Sequence, residues 1–149
     1  MKVKFSHVNV ISKDWKSLAD FYVRVFDCQL QLPERDLSGT WVDELTGIMN
    51  CHIRGAHLIL PGFESGSPTL EIFEYPHNIQ NLHKVINLEG FGHIAFGVED
   101  VEAKVAQLLS HGGSLMGKVV DTVISGLGKI RVEYARDPEG NIVEIQKGD

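Results

Sequence analysis

Two hexapeptides of this 149-residue chain, Phe5-Ser6-His7-Val8-Asn9-Val10 and Phe91-Gly92-His93-Ile94-Ala95-Phe96, align without a gap at an offset of 86 residues. An internal repeat constrains the fold more tightly than local propensity does, because each copy must be one supersecondary unit. Both hexapeptides alternate apolar with polar or small residues at a period of two, the pattern of a half-buried strand. His7 and His93 therefore occupy equivalent places on two equivalent strands.

The repeat continues beyond each strand. Ser12 or Asp14 caps a first helix, whose apolar residues Trp15, Leu18, Ala19, Tyr22, Val23 and Phe26 recur three and four positions apart. Asp100 caps a second, which carries Val101, Val105, Leu108 and Leu109 and stops at His111-Gly112-Gly113. Strand-like runs then occupy residues 28–32, 52–60 and 69–75 in the first half and 117–123, 129–135 and 141–146 in the second. The last two are joined by Asp137-Pro138-Glu139-Gly140, a strong turn signal. The order strand, helix, three strands, twice over, predicts an α+β chain of two βαβββ modules, at 1–76 and 91–149. A polar, weakly helical linker is expected at 77–90.

The ends of the halves correspond too. Leu70-Glu71-Ile72 closes the first and Val143-Glu144-Ile145 the second, each with one carboxylate between two large apolar residues. On an alternating strand that carboxylate faces the opposite surface of the sheet from its neighbours. One such residue is usually only the solvated face, but here each half offers a histidine from its first strand and a glutamate from its last. Two imidazoles and two carboxylates make a mixed nitrogen and oxygen site, suited to a divalent first-row metal with positions left open for water or substrate. Lacking sulfur donors, it does not read as a closed structural zinc cage.

Composition narrows the partners. With 14 Lys+Arg against 20 Asp+Glu the formal charge is −6, and 43% of residues are hydrophobic, an ordinary globular balance. A chain of this length buries about 70% of the surface its unfolded form exposes, enough for a core without staples. Basic residues are scattered singly, with no stripe to neutralise a phosphate backbone, so nucleic acid is not an expected partner. No apolar run approaches the ~20 residues needed to span a bilayer. The N-terminus lacks the pattern of a secretory signal, so the expected compartment is the cytoplasm. Cys28 and Cys51 read as small buried hydrophobes rather than a disulfide framework.

The repeated hexapeptides, the helix ending Phe21-Tyr22-Val23-Arg24-Val25-Phe26, the Leu70-Glu71-Ile72 strand, and Asp137-Pro138-Glu139-Gly140-Asn141 running into Val143-Glu144-Ile145 together resemble the vicinal oxygen chelate superfamily. Glyoxalase I, methylmalonyl-CoA epimerase, extradiol dioxygenases and fosfomycin-resistance proteins belong to that group. The resemblance covers nearly the whole chain. It implies two modules related by pseudo-two-fold symmetry, forming a curved mixed sheet around one divalent metal ion per site, with His7, Glu71, His93 and Glu144 as ligands. Nickel, cobalt, zinc, manganese and iron all suit such a set. It further implies a small-molecule substrate and a homodimer.

The carboxylate at Glu71 discriminates within the group. Dioxygenases and fosfomycin-resistance enzymes do not place a metal-binding carboxylate there, and the epimerases commonly have glutamine, so a two-His, two-Glu set resembles bacterial glyoxalase I (lactoylglutathione lyase). The implied chemistry is proton transfer next to a carbonyl through a metal-stabilised enediolate. By the same analogy Glu144 is the first choice for the base and Glu71 the second. Alternatives are a methylmalonyl-CoA epimerase, a non-haem iron ring-cleaving dioxygenase and a non-catalytic resistance-type binding protein; the full ligand set argues against the last. For substrate contacts, alternation on the run 52–60 puts His52 and Arg54 on one side and Ile53 on the other, which makes the first two the candidates. His57 is the weaker choice there. Arg24, Arg35, Arg131 and Arg136 read as surface arginines, and His77, His83 and His111 as surface histidines. Trp41, Phe63 and Phe73 read as pocket walls or plain core. Glu74 would replace Glu71 as ligand only if a bulge shifted the register between them.

Overall fold

A computed structural model describes residues 2–148 and divides the chain into two compact units, residues 1–80 and 81–149. The chain is α+β, with a mixed sheet in each unit. In the first unit β1 (His7–Ile11), α1 (Trp15–Phe26), β2 (Gln29–Ser38), α2 (Thr40–Thr46), β3 (His52–Ile59) and β4 (Thr69–Glu74) succeed one another, and the strands lie in the order β1-β4-β3-β2. β1 runs parallel to β4 because α1 carries the chain across one face of the sheet, whereas β3 and β4 form an antiparallel hairpin.

Asp14 rather than Ser12 caps α1: its carboxylate accepts from Ser17 N at 3.1 Å, while Ser12 Oγ accepts from Asp14 N. The helix buries Leu18, Tyr22, Val25 and Phe26, and the buried residues Leu58, Leu70 and Ile72 share one face of β3 and β4. Full burial of each such side chain contributes about 1.5–3 kcal/mol. Arg54 and Glu74 lie on that same face, 3.6 Å apart, and Glu74 accepts from Trp15 N at the start of α1. The register from Arg54↔Glu74 to Ile59↔Thr69 is continuous, so no bulge lies between Glu71 and Glu74, and Glu74 remains on the α1 face. Cys28, just past the end of α1, is buried; loss of solvent, with Asp27 adding, pushes its thiol up to about 12, so it is an inert core group.

Two features of this unit differ from the sequence expectation. β2 extends to Ser38 rather than ending near residue 32: Pro33 cannot donate to the ladder, the register shifts between Gln31 and Arg35, and pairing with β3 then resumes. α2 was not anticipated, because its seven residues bury only Val42 and give no periodic signal. Gly47 ends it in the left-handed region, and the Asp43 carboxylate then accepts from Asn50 N and Cys51 N, setting the entry into β3. Val42, Cys51, Ile53 and Phe73 form a small core, with Leu37 and Tyr75 packed against it.

The second unit runs β5 (Ile94–Gly97), α3 (Val101–Ser110), β6 (Ser114–Leu115), β7 (Val120–Ile124), β8 (Gly128–Arg136) and β9 (Ile142–Gly148). β5 is parallel to β9, and β9 is antiparallel to β8. Asp100 caps α3 by accepting from Ala103 N at 2.9 Å. The strand expected at 117–123 is β7, beginning at Val120, and an additional two-residue strand, β6, precedes it; both pair with β8. Between them Gly117 N donates to the Glu133 carboxylate on β8 instead of to a backbone carbonyl. Residues 77–90 contain no helix; Lys84 Nζ donates to Glu139 O and Asn141 Oδ1, and Arg136 donates to Lys84 O, so contacts with the β8–β9 turn hold this stretch. Among the described residues no helix is long and apolar enough to cross a membrane.

Glu133 is 1% exposed, and its Oε2 has no hydrogen-bond partner. Burial raises its pKa, against the Gly117 N–H, which lowers it. The folded state thus holds the Glu133 proton more tightly than the unfolded chain does. Its contribution to stability is fully present below the unfolded value and is lost as pH rises through the folded one. Glu133→Gln should therefore gain thermal stability over the parent as pH rises from the ordinary carboxyl range through neutrality. A difference in melting temperature that stays constant across that range would contradict this.

Candidate metal centre

Glu71 lies in the middle of its sheet, with Asn9 of β1 opposite it on one side and His57 of β3 on the other. Cross-strand partners share a face, so all three side chains stand on the surface away from α1. His57 Nε2 is 2.7 Å from Glu71 Oε2, Asn9 Nδ2 donates to Glu71 Oε1 at 2.8 Å, and His7 Nε2 is 3.7 Å from that same oxygen. The His7 and His57 rings meet edge to face at 5.4 Å. On the other side of the ring, His57 Nδ1 is 2.8 Å from the Thr69 hydroxyl, and Phe73 packs against the His57 ring. Burial lowers the pKa of His57, with Arg35 and His7 adding to the effect and Glu71 opposing it. That favours the neutral imidazole, the form that binds metal.

The second unit repeats the arrangement in part. Ala95 of β5 and Tyr134 of β8 stand opposite Glu144 of β9, as Asn9 and His57 stand opposite Glu71. His93 Nε2 is 2.9 Å from Glu144 Oε2, and the Tyr134 ring lies 5.0 Å from the His93 ring. Each unit thus pairs the histidine of its hexapeptide with the glutamate of its last strand.

The substrate candidates fall elsewhere. Arg54 is with Glu74 on the α1 face, and His52, two residues before it, pairs with Asp36 at 2.5 Å; neither approaches Glu71. Trp41 and Phe63 are exposed, His77, His83 and His111 are exposed, and Arg131 is tied to Glu102 and Asp121. His57, the weaker choice from the sequence, is the residue of this strand that lies beside Glu71. Its signal was parity: five positions from His52, it must face away from both His52 and Arg54, on the side of Ile53.

As donors, His7, His57 and Glu71 each offer an atom within 4.8 Å of the others. Around a small divalent ion with bonds of roughly 2.0–2.2 Å, adjacent ligand atoms stand about 3.0–3.5 Å apart. Donor atoms of that kind gathered this closely suit a divalent ion of the first transition row.

Comparison with solved structures gives similar folds over the full chain. A glyoxalase family protein from Bacillus cereus is 21% identical with a TM-score of 0.85, covering 99% of this chain and 95% of that one. The trypanothione-dependent glyoxalase I of Leishmania major is 22% identical with a TM-score of 0.65, covering 98% and 87%. The fosfomycin resistance protein FosX from Listeria monocytogenes, complexed with Mn(II) and sulfate, is 14% identical with a TM-score of 0.59, covering 100% and 95%. No curated protein matches the sequence. The family model of the Glyoxalase/Bleomycin resistance protein/Dioxygenase superfamily matches residues 4–145. The repeated strand–helix units, the paired histidines and glutamates and that match agree, and the chain belongs to this superfamily.

Proposed function

We propose that this chain is a metal-dependent enzyme of the glyoxalase type, an isomerase or carbon–sulfur lyase that moves a proton next to the carbonyl of a 2-oxo or thioester compound. His7, Glu71, His93 and Glu144 are the ligands in this reading. The observation that carries it is the repeated pairing: in each unit a histidine Nε2 turns to the glutamate of the last strand. The Mn(II) in the similar FosX structure supports a divalent metal, and the similar trypanothione-dependent glyoxalase I supports the reaction class.

A divalent ion supplies Lewis-acid stabilisation of the charge that develops on a substrate oxygen. The chain's own residues divide the remaining work. Glu71 is held by Asn9 and His57, so its carboxylate stays in place. Glu144 has Ala95 where Glu71 has Asn9, and alanine offers it no hydrogen bond. Glu144, paired with His93 at 2.9 Å but without a second partner opposite it on β5, is the less constrained carboxylate and the base in this reading: it accepts the proton from carbon as the electron pair moves onto the carbonyl oxygen, then returns it to carbon.

The test is deuterium exchange at carbon, with the hemithioacetal of methylglyoxal and glutathione and with methylmalonyl-CoA. Protein loaded with Ni, Co, Zn or Mn should exchange or convert one of them, lose that activity to a chelator and regain it on reloading. Loaded protein that exchanges neither, or that with Fe(II) cleaves a catechol ring, overturns the reading.

A further inference from the structure

The two units are not chemically equal. The repeat places a histidine and a glutamate in each, but it departs at the two residues opposite the glutamate. Asn9 and His57 flank Glu71, whereas Ala95 and Tyr134 flank Glu144. Alanine has no donor atom, and Tyr134 offers a phenol where the first unit offers an imidazole, the commonest metal ligand among side chains. The first unit thus gathers three metal-binding groups where the second has two.

We infer that the first unit is a divalent-metal site in itself, built from His7, His57 and Glu71, and that His57 is a ligand with no counterpart in the second unit. The inference rests on the metal-dependent reading above and adds a residue to it. Three observations support it beyond proximity in sequence. The three donor atoms lie within 4.8 Å of one another. Both flanking groups that would orient the ligands are in place: the Thr69 hydroxyl meets the far nitrogen of His57 at 2.8 Å, and Asn9 holds the Glu71 oxygen on the His7 side. Such outer partners fix the tautomer of a ligating histidine and the rotamer of a ligating carboxylate. Finally, the side chains of His57 and Glu71 are 14% and 12% exposed while that of His7 is 41% exposed, so two donors are held rigidly and the third borders solvent, where an ion enters.

The consequence is a division of labour. Metal retention belongs to the first unit, and the proton transfer proposed above to Glu144 of the second.

Co(II) is the probe, because its visible absorption responds to each nitrogen donor, with competition against a chromophoric chelator giving affinity. The full chain is compared with His57→Ala, with His57→Phe, and with a variant carrying both His93→Ala and Glu144→Ala. The last should still bind one Co(II) per chain. Both His57 variants should bind Co(II) at least about 10-fold more weakly and with an altered spectrum, the lower end of what losing a group around a metal costs. Added imidazole should restore the parent spectrum in His57→Ala, which leaves a space for it, and not in His57→Phe, which fills that space. A His57 that merely hydrogen-bonds Glu71 could weaken affinity but would leave the spectrum unchanged. An unchanged spectrum in both His57 variants therefore overturns the inference, as does loss of Co(II) from the His93→Ala, Glu144→Ala variant while it still melts cooperatively. A parent chain that binds Co(II) through His57 yet exchanges no substrate proton sinks the proposed reaction and leaves this site standing.

Discussion

Glu144→Gln at saturating metal should lower the rate of proton exchange at the substrate carbon by about 10²- to 10⁴-fold, the usual contribution of a positioned general base, while substrate still binds. Gln keeps the shape of the side chain but cannot accept the proton. The matched variant Glu71→Gln should behave differently. Glu71 is tied to His57 at 2.7 Å and to Asn9 at 2.8 Å, so its loss should show first as weaker metal retention, with exchange recovering as metal is added in excess. Normal exchange in Glu144→Gln would mean that the base is another group. An exchange defect in Glu71→Gln that excess metal does not repair would exchange the two roles.

Gly55→Ala should cause the largest loss of stability among single substitutions near the site. Gly55 sits opposite Phe73 in the β3–β4 hairpin, two residues before His57. A β-carbon there would collide with the Ile72 carbonyl oxygen and lie 2.7 Å from Phe73 Cδ1. A strand carbonyl cannot turn aside as a side chain can, so β3 would have to lift from β4 at the pairing that sets His57 against Glu71. The expected cost is about 3 kcal/mol, the upper end for overpacking. For a chain of this size that lowers the melting temperature by roughly 6–12 °C. Gly97→Ala is the control: its added β-carbon meets nothing within 4 Å, and its effect should stay within about 0.5 kcal/mol. Equal melting temperatures for the two variants would show that the hairpin has slack at Gly55.

Much of this architecture was legible because the repeat is strong. The hexapeptides place the first strand of each unit, Asp100 caps α3 as expected and Asp14, one of two candidates, caps α1, and alternation in Leu70-Glu71-Ile72 and Val143-Glu144-Ile145 turns each carboxylate away from its apolar neighbours. The shortfalls share one physical cause, which is dependence on pairing between distant strands. His57 meets Glu71 only because the β3–β4 loop closes with Leu60 N on Pro68 O and the Ser67 hydroxyl on Leu60 O, and no local pattern reports that register. Alternation along β3 correctly grouped His52 with Arg54 but could not say which group shares a face with Glu71. β2 crosses a proline and a register shift, and β6 and β7 are separated where a glutamate side chain takes the place of a ladder acceptor.

Metal content of the purified chain tests the central claim most directly. Elemental analysis should find about one divalent ion per chain. After chelation, re-adding Ni, Co, Mn or Zn at about 100 times its dissociation constant should stabilise the fold by about 2.7 kcal/mol. That is a rise in melting temperature of roughly 5–11 °C. Protein that carries no stoichiometric metal as purified, and whose melting temperature does not move with any of these ions, would contradict the account.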